Sequence, residues 1–349
     1  MPLHNALITR SALSLILLTL APAAYGAVIE RHIDAASLRG STIGTPTERR
    51  VAIYLPPGYE GSAQHYPVIY MLPNPIGSFR GDFDQHHADT VFDEAIASGA
   101  LPACIVVAPD LNTPIGPSWY ANSPVTGNWD DYVVKELVPY IDANFRTLPT
   151  SASRGITGNY IGAYGALRLG MLHPDVFGSV YGMHPVGTGS GVQAMTSRPD
   201  WDLLGHATSI DQVRNAGFSA LFLSIFQAFL PDASRPPLFV DLPAAKSGDT
   251  LTIDAAQTRR LRANFFIAEL VPANAEKIRT LRGLKFDWSR NDSIYDHIYS
   301  NHALTHLLNE YGIPHEAEEY NGTGDSYWST DGRIRNEVLP FFRQHLAAH

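Results

Sequence analysis

A doubly wound, mostly parallel α/β sheet with an inserted helical cap is the fold this sequence predicts. Three observations predict it: short β-branched runs recur along the chain, most are apolar on both faces, and helical patterns separate them. Strands read as continuous apolar runs when helices cover both sides of their sheet. The 349 residues are 45% hydrophobic and 17% charged, enough for one large domain with an ample core.

The first element is a leader. Arg10 ends a short polar segment, Ser11 to Leu20 is a leucine-rich apolar run, and Ala24-Tyr25-Gly26 offers small residues at a cleavage site. Cleavage after Gly26 is expected, with export to the periplasm or medium. The apolar run is too short to favour an anchor, and no later segment reaches the ~18 apolar residues a span requires. The remainder, 27–349, reads as a single domain.

Strands are predicted at Arg50 to Leu55, Val68 to Leu72, Cys104 to Ala108, Gly155 to Thr157, Ser179 to Met183 and Leu284 to Trp288. Helical patterns fall at Asp89 to Ser98, Trp129 to Asn144, Gly162 to Leu172 and Tyr299 to Tyr311. From about Gly187 to Arg282 no strand is comparably strong, and helical patterns occupy Phe218 to Phe229 and Ala255 to Val271. That stretch is the expected cap. Ligand chemistry in such sheets sits at the carboxyl ends of the strands, so the loops there are the ones to read.

A formal charge of −9 gives no basic field for phosphates, which argues against nucleic acid or an anionic membrane as partner and favours a small neutral or ester-like molecule. The single cysteine, Cys104, sits in an apolar run and reads as a buried strand residue, with no intramolecular disulfide possible. Asp84-Gln85-His86-His87, with Asp82 and Asp89, contains ligand-type residues, but adjacent histidines point apart on a strand or a helix. It reads as a solvated loop, and neither metal nor cofactor is expected.

The run Ser118-Trp119-Tyr120-Ala121-Asn122-Ser123-Pro124 through Gly127-Asn128-Trp129, then Asp131 to Leu137, Tyr164 to Arg168 with His173-Pro174-Asp175, and Phe286 to Phe342 resembles the putative-esterase family. That family includes esterase D, the feruloyl esterases and the antigen 85 mycolyltransferases. The resemblance covers most of the chain from about residue 48 and implies an α/β-hydrolase fold with carboxylic-ester hydrolysis. Its nucleophile belongs in a G-x-S-x-G elbow between a strand and a helix. Here the matching run is Gly158-Asn159-Tyr160-Ile161-Gly162, with Tyr160 at the serine position. The family's histidine follows the last strand, where this chain reads Tyr320-Asn321-Gly322-Thr323-Gly324-Asp325 and places Gly324 or Thr323 at that position. Asp292 matches the family's acid and is left without an imidazole to orient.

The family's oxyanion hole takes one amide after the nucleophile and one from an H-G loop after the third strand. Ile161 keeps the first. Pro73-Asn74-Pro75 replaces the loop, and its two prolines remove donors. Losing both serine and histidine costs about a million-fold in turnover, so ordinary ester hydrolysis is expected to be absent.

A phenol with its ordinary pKa of about 10 needs a base or a cation nearby to ionise at neutral pH. His184, after the strand ending at Met183, is the candidate, and Tyr160, His184 and Asp292 converging on one pocket would suit elimination or isomerisation. The plainer reading has His184 capping a carbonyl and Tyr160 filling the vacated nucleophile pocket. Asn74, Trp119, Tyr120 and Ile161 are the candidate substrate-binding residues, Trp119 and Tyr120 as walls that could equally be packing. Three functions stay open: a binding protein in the old cleft, a non-hydrolytic enzyme using Tyr160 and His184, and a weak esterase with a recruited histidine such as His297 or His302.

Overall fold

The computed structural model describes residues 25–75, 77–189, 198–323 and 327–348. Most of the predicted leader and Gly324 with Asp325 lie outside them. Eight strands form the central sheet: β1 (Ala27–Asp34), β2 (Glu48–Leu55), β3 (Val68–Leu72), β4 (Ile105–Pro109), β5 (Arg154–Asn159), β6 (Ser179–Met183), β7 (Gly283–Ser289) and β8 (Glu316–Tyr320). Their spatial order is β1-β2-β4-β3-β5-β6-β7-β8. β1 and β2 pair antiparallel, as do β2 and β4, and every pairing from β4 to β8 is parallel.

The doubly apolar runs are explained by cover on both faces. Val68, Tyr70 and Leu72 of β3 enter one core cluster while Ile69 and Met71 enter the other. The first core contains helix α2 (Ile161–Leu172), and the second contains α1 (Ala88–Ala97) and Phe342. Cys104 is buried beside β4. β1 and β8 escape the apolar pattern because they are edges, and the EAEEY sequence of β8 carries charges that suit an exposed edge.

Between β6 and β7 lie α3 (Phe218–Phe229), a two-stranded hairpin (Ala244–Ser247 with Thr250–Ile253), α4 (Ala255–Phe265) and α5 (Val271–Ile278). The run from Ala255 to Val271 is not one helix. Asp254 caps α4 by accepting from the Ala256 and Gln257 amides, and α4 stops at Phe265. The amides of Ile267 and Ala268 then bond the carbonyls of Gly187 and Thr188, tying the cap to the loop after β6. Finally, α6 (Tyr295–Glu310) follows β7 and begins a full turn earlier than its apolar pattern suggests.

Candidate active site

Parallel pairing aligns the carboxyl ends of β3, β5, β6 and β7: Leu72 is level with Gly158, and Met183 with both Asn159 and Asp287. Tyr160 stands in the turn between β5 and α2. Its backbone, at φ 51° and ψ −109°, is sparsely populated for a side-chain-bearing residue. Two hydrogen bonds hold it there, from the Tyr160 amide to the Met183 carbonyl (3.1 Å) and from the Tyr164 amide to the Tyr160 carbonyl (3.0 Å). The flanking glycines explain how so sharp a turn fits. A Cβ on Gly162 would lie 2.2 Å from the Leu72 carbonyl oxygen, and one on Gly158 would lie 2.4 Å from the Gly162 carbonyl carbon. A sharp, strained strand-to-helix turn with a phenol at its tip is therefore what these glycines permit.

Two imidazoles lie beside Tyr160, and both bond one carboxylate. His184, which follows β6, is buried, and its Nε2 lies 2.6 Å from Asp292 Oδ2. His297, in the first turn of α6, brings Nδ1 to 2.6 Å from the same oxygen. The other oxygen, Oδ1, accepts from the Ile294 amide at 2.7 Å. The Tyr160 ring lies 4.7 Å from the His184 ring and 6.5 Å from that of His297, centre to centre. Asp292 is thus not left without an imidazole, as the sequence implies, but has two. One comes from the neighbouring strand and one from the helix that follows Asp292 itself.

The histidines differ in what their second nitrogens do. The Ser289 backbone amide donates to His184 Nδ1 at 3.0 Å, so that nitrogen bears a lone pair and Nε2 bears the proton given to Asp292. His297 gives its Nδ1 proton to Asp292, leaving Nε2 as an acceptor, and this residue lines the cleft. Burial opposes ionisation of Asp292, but the hydrogen bonds from His184 and His297 outweigh it and hold the carboxyl well below the usual carboxylate range. His302, the other candidate for a recruited base, pairs with Glu319 on β8 at 2.6 Å and is not among the cleft-lining residues.

Among the described residues, one group of ligand-type side chains is close enough to surround an ion: His184, Asp292 and His297, with ligand atoms within 4.8 Å of one another. The Ser289 amide argues against that use. It keeps the proton on His184 Nε2, the atom that would have to offer its lone pair. The histidines of the Asp84 to His87 run lie elsewhere, His86 stacking near Trp328 and His87 preceding α1.

A buried ionic network supports the site from below. Asp287, fully buried on β7, accepts from Tyr181 Oη at 2.6 Å and from Arg333 Nε at 2.8 Å. Its main-chain oxygen accepts the His184 amide at 2.7 Å. Burial pushes the Asp287 carboxyl upward against the pull of Arg333. No local sequence pattern announces this network, because its members are far apart in the chain.

Above the strand ends lies a cleft of about 630 Å³, lined in part by Asn74, Trp119, Tyr160 and Ile161. Trp119 is a buried wall: its Nε1 donates to Ser224 Oγ of α3 at 2.9 Å, and its ring packs edge-on against Tyr164 and Phe265. Tyr120 is not a wall. It is buried against Gly165 of α2, where a Cβ would lie 2.4 Å from its ring, and it does not line the cleft. Asn74 Oδ1 is buried without a partner, and the Ile161 amide belongs to the first turn of α2, where helical acceptors are lacking.

Comparison with known proteins bears on the family and the fold. A family model described as "Putative esterase" matches residues 43–217. An esterase of Mycobacterium tuberculosis is 25% identical over 278 residues, 78% of this chain and 51% of that protein. The chain spans about half the length of the curated relatives it matches. A solved ferulic acid esterase superposes with a TM-score of 0.65 at 18% identity, covering 93% of this chain and 99% of that one. An S-formylglutathione hydrolase from Agrobacterium tumefaciens gives 0.59 at 15% identity, over 94% and 99% of the two chains. These structures share the fold: a mostly parallel sheet covered on both faces. With the family model spanning half its length, the chain belongs to the putative-esterase family of α/β-hydrolases.

Proposed function

We propose that this family member has left serine-type ester hydrolysis behind and uses its cleft to bind an uncharged small molecule and move a proton on it. The observation that carries this reading is the His297–Asp292 pair beside Tyr160, with His297 Nε2 left as an acceptor in the cleft. Asp292, held ionised, stabilises the imidazolium that forms when His297 takes a proton. Tyr160 supplies a phenol that can donate to a developing oxyanion. His184 fits a positioning role better than the acid–base role its place in the sequence suggests, because both its nitrogens are engaged.

Simple binding without chemistry is a second reading. It is favoured by the Pro73-Asn74-Pro75 loop, whose prolines lack amide donors for an oxyanion.

Deuterium wash-in separates the readings. The protein is incubated in heavy water with methyl ketones, and exchange next to the carbonyl is followed by mass spectrometry. Exchange above a protein blank, lost in His297→Asn and Tyr160→Phe, is expected. Parallel assays should give no fluorophosphonate labelling and no saturable turnover of p-nitrophenyl acetate. Ketone binding without exchange would leave a binding protein, and saturable ester turnover surviving Tyr160→Phe would restore an esterase with a recruited base.

A further inference from the structure

The cleft is chemically sorted by depth. At the strand ends it offers Tyr160, His297, Asn74 and Ser300, whereas α3 and α4 line it with Phe222, Ile225, Phe226, Leu261 and Phe265. The apolar character does not end at the rim. Phe218 and Ile253 line the cleft yet stand 50% and 51% exposed. Tyr295 and Tyr299, 59% and 55% exposed, alternate along α6 with the cleft residues Asp296, His297 and Ser300. Apart from Tyr25, these four are the large apolar side chains that stand half or more exposed among the described residues. Scattered exposed apolar residues need no explanation, but Phe218 and Ile253 stand exposed on the lining of one cleft and extend its apolar wall outward.

The charges in the cleft do not undo this pattern. Arg198 lies 3.9 Å from Asp296 and over the Phe218 ring, and the Arg262 guanidinium lies over the Phe266 ring. A compact sugar or aromatic acid has no use for an apolar rim. Among the described residues, the polar groups of Tyr160, His297, Asn74 and Ser300 at the strand ends are a phenol, an imidazole, an amide and a hydroxyl, none of them a fixed charge.

We infer that the ligand is an uncharged, extended amphipath that enters polar end first. Its carbonyl, ester or hydroxyl end lies at Tyr160 and His297, its apolar body runs between α3 and α4, and its tail leaves past Phe218 and Ile253. The placement of the polar end rests on the proposed function, and the chain-length requirement does not.

Isothermal titration of the full chain with a homologous series of 2-alkanones, each kept below its aggregation limit, tests the inference. Affinity should rise on the order of fourfold per added methylene and keep rising into the long members, because the cleft stays apolar to its mouth. Phe218→Ser and Ile253→Ser alter exposed side chains, so folding should be preserved. They should weaken the long ketones about tenfold while leaving the short ones unchanged. Affinity that levels off at the short members, or rim variants that weaken all members alike, would overturn the inference. A chain-length law without deuterium wash-in would keep the ligand class and sink the proposed chemistry, and wash-in without a chain-length law would do the reverse.

Discussion

His184 and His297 bond the same oxygen of Asp292, each at 2.6 Å, yet only His297 has its second nitrogen left for the cleft. The difference traces to one backbone amide, that of Ser289, which occupies His184 Nδ1. Two imidazoles on one carboxylate thus have separate duties, and substitution should separate them.

His297→Asn should abolish proton transfer while costing little stability, because the side chain sits at the cleft wall and contributes one bond to Asp292. His184→Asn should do the opposite. It empties a buried ring and orphans both the Ser289 amide and one side of Asp292, a loss of about 2–4 kcal/mol. Urea unfolding of both variants beside the wash-in assay checks the split, and equal destabilisation by the two would argue against it.

The acid limb of stability should carry the signature of Asp292. Its carboxyl is held below the ordinary range in the folded state, so its contribution is full above about pH 4 and fades as pH falls through that range toward the folded value. Asp292→Asn should be less stable than the parent by about 2 kcal/mol near neutrality, a figure reduced for partial screening. The gap should narrow when unfolding is repeated at about pH 3. A gap that stays constant would mean the histidines do not hold the carboxylate ionised.

The turn at Tyr160 depends on glycine. Gly162→Ala puts a methyl 2.2 Å from the Leu72 carbonyl oxygen, a backbone atom of a central strand that has little room to yield, and should cost about 3 kcal/mol or more. Gly205→Ala makes a matched control. It lies in a short cap helix with nothing within 4 Å of the new methyl, and should gain about 0.5–1 kcal/mol. Thermal unfolding of the two variants should shift in opposite directions.

Beneath the site, Asp287→Asn removes the buried charge that Arg333 and Tyr181 both address. Breaking such a pair from one side costs about 3–5 kcal/mol, because the remaining cation stays desolvated. Arg333 retains Glu318 on β8, which should place the loss toward the lower end. A change in melting temperature no larger than that of a surface substitution would show that the network is incidental.

Much of the frame was legible because it is written in local patterns. β3 and β6 fall on their apolar runs without adjustment, α3 on its own, and the glycines around Tyr160 mark the elbow. The strands at the two edges were missed because an edge need not be apolar. The break after Phe265 was missed because the amides of Ile267 and Ala268 are claimed by the loop after β6, which no helix periodicity records. The sequence leaves Trp119 and Tyr120 open between cleft wall and packing, and adjacent side chains diverge: Trp119 lines the cleft while Tyr120 turns into the core against Gly165.

The sequence by itself determined which residues occupy the Gly158 to Gly162 run and that its glycines flank Tyr160, and the family resemblance alone assigns the serine position to Tyr160 and the acid to Asp292. The sequence did not determine what Asp292 holds. His184, Asp292 and His297 arrive from the ends of two neighbouring strands and the start of a helix, and parallel pairing of β6 with β7 brings them together. Which of the two histidines can accept a proton was decided only in three dimensions, because a ring nitrogen is free or occupied according to the backbone amide that folding places against it.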